Sequence, residues 1–217
     1  MQVNRRTSLS LLAGGALLPL IPAGVAQAAP QFPGASRAVL DLYQGDKVIG
    51  QHGYEITGGQ SSPTVRTTAN FKGKVLGFNV TYDLSTEEKW QDGALQRLQS
   101  SGQLRGQPFT VSAERQDRFL SVVKPNGRDY LTNPAVLPTT YWMSNFINQT
   151  EVLDTQRGGI LRLQPKALGS GTLAGRRVTG WDMGGDLPIK IYYDGSGTWS
   201  GMQFNVFGAK FEYRRVV

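Results

Sequence analysis

Apolar and polar residues alternate one by one along most of the chain, which is the two-residue period of strands that bury one face. The clearest run sets Leu76, Phe78, Val80, Tyr82 and Leu84 against Val75, Gly77, Asn79, Thr81 and Asp83. Residues 38–43 and 48–56 flank Gln44-Gly45-Asp46-Lys47 as a hairpin, and 65–71 faces 75–84 across Lys72-Gly73-Lys74. A strand over 87–91 turns at Asp92-Gly93. Asn126-Gly127 separates 119–124 from 128–131, and Asp194-Gly195-Ser196-Gly197 separates 189–193 from 198–207. Asn, Asp and Gly mark these turns because they tolerate the positive φ of tight hairpins. Adding 110–114, 160–164, 177–181 and 210–215 gives about a dozen strands.

Helical spacing is scarce. A short helix is expected over 139–148, where Pro138 and Thr139 or Thr140 provide a start and Trp142 and Phe146 lie four apart. Residues 93–100, with Leu95 and Leu98 three apart, read equally as helix or strand. Strands joined by tight turns form an antiparallel meander, and no helices alternate with them as a parallel α/β sheet requires. Interior glycines at positions 50, 53, 77, 180 and 201 permit bulges and coiling. The expected fold is mostly β: a strongly curved antiparallel sheet or half-open barrel of about a dozen strands with one or two short helices, in a single domain over 29–217.

The first 28 residues stand apart. Arg5 and Arg6 precede an apolar run over 11–25 that ends at Ala26-Gln27-Ala28, the three parts of a cleavable signal peptide. Gly14, Gly15, Pro19, Pro22 and Gly24 break the run, which is too short for a spanning helix of about 20 apolar residues. Cleavage is expected after Ala28, leaving no transmembrane anchor. The arginine pair, with Leu9 behind it, resembles the twin-arginine motif of bacterial proteins exported folded, although Ser8 and Ser10 stand where that motif usually has Phe and Lys. The expected location is periplasmic or extracellular, and the export machinery and signal peptidase are the expected partners.

Composition narrows the chemistry. The chain has no cysteine, which removes thiolate catalysis, disulfides, iron–sulfur clusters and lipid modification at a cysteine. Its single histidine, His52, excludes multi-histidine metal sites, and neither a metal nor a cofactor is expected. The net charge of +7 falls to +5 without Arg5 and Arg6. No basic cluster exceeds the pairs Arg176/Arg177 and Arg214/Arg215, so nucleic acid is a poor partner.

Several segments carry a resemblance. Leu42-Tyr43 with Asp46-Lys47-Val48-Ile49-Gly50-Gln51-His52, then Glu88-Lys89-Trp90-Gln91-Asp92-Gly93-Ala94-Leu95, Tyr141-Trp142, Leu153-Asp154 and Tyr192-Tyr193-Asp194, resemble a family of exported bacterial proteins of unknown function. The resemblance spans nearly the whole mature chain and implies no activity. At the level of fold alone, a curled antiparallel sheet with a short helix is similar to periplasmic lipoprotein carriers and related lipid-binding half-barrels.

Catalytic ingredients are few. His52 could act as a base oriented by Glu88 or Asp92, the pattern of a hydrolase or lyase, but no Gly-x-Ser-x-Gly elbow accompanies it. Gly169-Ser170-Gly171-Thr172 opens no helix and so lacks the field that holds phosphate. Aromatic residues are more suggestive. Phe78, Tyr82, Trp90, Trp142 and Trp181, facing the concave side of one curled sheet, would line an apolar pocket, with Phe146, Tyr193 and Trp199 as further members of the set. The leading expectation is a non-enzymatic exported protein that binds a hydrophobic or lipid-like ligand; a structural or interaction module that pairs through a sheet edge is a further alternative.

Overall fold

The computed structural model describes residues 33–34, 36–75 and 77–216, so Arg5, Arg6 and the expected cleavage after Ala28 lie outside the described residues. Its strands are β1 Arg37–Gln44, β2 Lys47–Thr57, β3 Thr64–Val75, β4 Phe78–Gln91, β5 Ala94–Leu104, β6 Gln107–Arg115, β7 Leu120–Lys124, β8 Gly127–Leu131, β9 Leu137–Pro138, β10 Glu151–Leu153, β11 Ile160–Arg162, β12 Lys166–Leu173, β13 Arg176–Asp182, β14 Ile189–Tyr193, β15 Trp199–Val206 and β16 Ala209–Arg215.

Thirteen of them form one antiparallel sheet in the order β12-β13-β14-β15-β16-β1-β2-β3-β4-β5-β6-β7-β8. Two meanders, β1–β8 and β12–β16, join where β16 pairs with β1 and Arg215 stands opposite Leu40. The sheet is curled and not closed; β8 and β12 are its edges. Alternation explains the single buried face. On β4 the inward side chains are Val80, Tyr82, Leu84, Thr86, Glu88 and Trp90, and on β1 they are Ala38, Leu40 and Leu42. Register shifts at Leu42/Tyr43, Lys89/Trp90 and Tyr192/Tyr193 add the local twist that curls the strands.

Residues 132–165 connect the two edges and fill the inside as a plug. They carry the small sheet β11-β10-β9 and a 3-10 turn, Ser144–Asn148. Val136, Leu137, Trp142, Met143, Phe146, Val152, Leu153 and Leu163 from this segment are buried in the main core. Polar ties fix it to the wall: Ser100 Oγ donates to Thr155 O at 2.6 Å, and the Tyr193 hydroxyl reaches Tyr141 O at 2.8 Å and Met143 O at 3.0 Å.

Two local expectations are corrected. The helix expected over 139–148 exists only as the 3-10 turn, because Thr139 and Thr140 bond to the plug's own strands instead of starting a helix; the Thr139 N–H donates to Leu153 O. Of the two readings open for 93–100, the strand is the one formed: residues 94–100 begin β5, paired with β4 and, from Arg97, with β6. The turn after β3 also falls later than expected, since Lys72-Gly73-Lys74 stays in the ladder opposite Val80 and its neighbours and Gly77 takes φ +83°.

Candidate functional site

The plug fills only one half of the curled sheet. The register fixes which half. His52 is level with Ala69, Leu84, Gly102 and Phe109 across β2, β3, β4, β5 and β6. Toward the β2–β3 and β4–β5 turns the interior holds Glu88, Trp90, Leu95 and Trp142, all fully or nearly fully buried. Toward the β1–β2, β3–β4, β5–β6 and β15–β16 turns it opens as a cleft of about 640 Å³. That end is the mouth.

Two aromatic walls bound the cleft. Phe71, Tyr82 and Phe109 pack in series, with ring centroids 5.4 and 6.5 Å apart. Phe204 stacks on Phe211 at 5.3 Å and lies 6.0 Å from Tyr213 on the other wall. Phe109 reaches its place because Gly102 faces it. A Cβ at Gly102 would lie 2.7 Å from the Phe109 ring and 2.0 Å from Asp83 O.

His52 forms part of the boundary between the filled half and the cleft. Its ring packs edge-on to Trp199, Tyr213 and Tyr141, with centroids 4.7, 5.4 and 6.1 Å away, and its Nε2 is buried without a hydrogen bond. Burial away from water lowers its pKa to about 3, so the imidazole is neutral at physiological pH. Tyr82 is held protonated by burial, with the nearby Asp154 charge acting in the same direction and a hydrogen bond from Gln156 opposing it. Gln156 Nε2 donates to the Tyr82 hydroxyl at 2.9 Å.

Arg105 and Arg157 stand at the mouth of this cleft, both exposed. Among the described residues neither guanidinium has a carboxylate within ion-pair distance or a side-chain hydrogen bond. Asp154 is turned to the backbone, its Oδ1 accepting from the Gln156 N–H at 2.7 Å and the Arg157 N–H at 3.3 Å.

The residues expected from the sequence are divided by this geometry. Tyr82 lines the cleft. Phe78 does not: it borders the β3–β4 turn, where its side chain is exposed at the rim. Trp90 and Trp142 pack edge-on at 5.6 Å in the filled half, where both indole N–H groups donate to Glu88 Oε2, at 2.9 and 3.0 Å. Trp181 is half-buried beside Tyr193, 6.4 Å between centroids, and outside the cleft. His52 and Glu88 are not brought together. Glu88 lies four residues beyond Leu84 on β4, roughly 13 Å along the strand from the row of His52. Asp92 is exposed at the β4–β5 turn, farther still. Thus no base-and-carboxylate pair is assembled. Burial raises the Glu88 pKa to about 7, against the opposing influence of Thr140, Trp142 and Trp90. Among the described residues, no three His, Asp or Glu side chains converge as metal ligands, and no helix is long and apolar enough to cross a membrane.

The aromatic lining residues that the sequence reading did not propose for the pocket are Phe71, Phe109, Tyr141, Phe204, Phe211 and Tyr213. Each is an inward position of its strand or plug. A parity count along each strand identifies such positions, but only the register brings those from β3, β6, β15 and β16 to one cleft.

Comparison with curated proteins gives no match. Among solved structures the chain is similar to the crystal structure of a beta-barrel-like protein of Domain of Unknown Function DUF1849 from Brucella abortus, with a TM-score of 0.58 and 14% sequence identity over 87% of this chain and 98% of that one. That likeness is one of fold. Residues 41–216 match the family described as Domain of unknown function (DUF6134), and the chain belongs to that family.

Proposed function

We propose that the protein is an exported, non-enzymatic binding protein that holds an amphipathic molecule in the cleft, with an apolar body against the aromatic walls and a polar or anionic head at Arg105 and Arg157. The observation that carries this reading is the cleft itself. Its volume of about 640 Å³ lies within the range of about 300–1,000 Å³ usual for small-molecule sites, and its walls are mostly apolar, with His52, Gln107, Gln156 and the two arginines as the polar exceptions. The plug packs with the wall strands into one core that stops short of the cleft, whose lining residues Leu42, Val80, Met202 and Tyr213 already belong to that core. A methylene moved from water into such a site gains about 0.8 kcal/mol, enough for a short apolar tail to bind. The two unpaired guanidiniums suit a carboxylate or phosphate head. The signal-like first 28 residues support a role outside the cytoplasm, where a carrier must shield an apolar ligand from water.

Native mass spectrometry of the protein purified from a bacterial host, followed by solvent extraction and titration with an apolar fluorescent probe, tests this. The expected result is a co-purifying single-chain amphiphile or saturable one-to-one probe binding. Absence of both would refute the proposal.

A further inference from the structure

The mouth is bordered by side chains that a rim made only to fold would not expose. Val48, Phe78, Leu104 and Phe207 are among the exposed large apolar residues, with Phe78 74% and Phe207 66% accessible. They sit at or beside the β1–β2, β3–β4, β5–β6 and β15–β16 turns. Because the sheet runs β15-β16-β1-β2-β3-β4-β5-β6, these are four consecutive hairpins along one rim. The same turns carry exposed Lys47, Lys74, Arg105 and Lys210, with Asp46 the acidic residue among them.

Phe207 adds an independent sign. It holds φ +48° and Gly208 holds φ +82°, so the pair forms a hairpin turn of the kind in which both central residues have positive φ. Asn or Asp is the usual first residue there, and a bulky apolar side chain is strained. An aromatic tip at that position costs folding stability and gains little burial within the chain.

We propose that the mouth rim docks on an anionic lipid bilayer, with Val48, Phe78, Leu104 and Phe207 entering the headgroup–acyl boundary, the four basic residues meeting anionic headgroups, and the cleft opening toward the membrane. Apolar tips interleaved with lysine and arginine are the composition of interfacial membrane anchors. The core of a protein–protein interface is instead depleted of lysine and forms one packed patch, whereas here the apolar tips stand on separate hairpins. The inference goes beyond ligand binding and is read out separately from it.

The chain has no cysteine, so single labels can be placed freely. Phe78→Cys, Phe207→Cys and, at the opposite end of the sheet, Ser61→Cys each carry a polarity-sensitive fluorophore and are mixed with vesicles of equal parts phosphatidylglycerol and phosphatidylethanolamine, or of phosphatidylcholine alone. The expected result is a blue shift at positions 78 and 207 but not 61, stronger on the anionic vesicles and reduced by salt. On unlabelled protein, Phe78→Ser with Phe207→Ser lowers vesicle co-sedimentation by about tenfold, while circular dichroism stays unchanged. Equal shifts at all three positions, no shift at the tips, or a tip shift that follows protein concentration without vesicles would overturn the proposal, the last assigning the rim to contact between copies.

Discussion

The Trp142 indole N–H, on the plug, donates across 3.0 Å to the same Glu88 oxygen that receives the Trp90 indole from 2.9 Å. One carboxyl group thereby joins a wall strand to the inserted segment. Its second oxygen, Oε1, is buried without a hydrogen bond and is the natural seat of a proton. With the folded pKa near 7 against 4.5 for the free group, the native state binds the proton more tightly than the unfolded chain. The stabilisation is therefore complete below pH 4.5 and fades as pH rises to about 7, a change of about 3 kcal/mol. Denaturant titrations of Glu88→Gln should lose this slope, and Glu88→Ala, which strands two indole donors, should cost about 3 kcal/mol or more.

His52 works in the opposite sense. Its folded pKa of about 3 lies below the unfolded 6.5, so stability is present above pH 6.5 and is lost as pH falls toward 3. The two groups oppose each other between pH 4.5 and 6.5. Subtracting the stability curve of His52→Phe from that of the wild type should leave a limb that falls only on the acid side, measured by chemical denaturation from pH 3 to 7.

Tyr193→Phe deletes the hydroxyl that reaches Tyr141 O and Met143 O. The expected loss is about 1–2 kcal/mol, seen as a Tm lower by a few degrees in calorimetry.

Val80 projects inward from β4 into the cleft. Val80→Trp should fill it and reduce apolar-probe binding by about tenfold or more, with a stability change under about 1.5 kcal/mol because the added ring enters open space. Fluorescence titration and thermal melting separate the two effects.

Arg105→Ala with Arg157→Ala should weaken an anionic single-chain probe about fivefold or more and leave a neutral probe of equal chain length unchanged, since the guanidiniums are exposed and meet only the head. Isothermal titration at low and high salt provides the comparison.

The sheet was legible where strands are long. Val80, Tyr82 and Leu84 declare an inward face by alternation alone, and the turns at Asp92-Gly93 and Asp194-Gly195-Ser196-Gly197 declare their hairpins. The plug was legible only at β11, within the strand expected over 160–164, because β9, β10 and β11 span two or three residues each, too few to show a period. Glu88 stood out as a carboxylate, but its burial was hidden by its neighbours: Glu87-Glu88-Lys89 reads as a solvated charge run, although Glu88 shares its parity with Val80 and Trp90. Phe78 misled for the converse reason. It keeps the parity of the buried face, yet the turn at Gly77 releases it to the rim. The cleft needed the β16–β1 pairing, which joins Phe211 and Tyr213 to Leu42 and His52 and leaves no local trace in the sequence.

That pairing also sets when the molecule can finish folding. Leu40 finds its partner in Arg215, almost the full length of the domain away. Until the last strand is synthesised, β1 shows an unpaired edge at what will become the middle of the sheet, and β15 shows another. Loop closure over such a distance precedes any reward from contact, so assembly is slow and strongly cooperative, and truncation at either end would open the sheet at its centre instead of trimming a border.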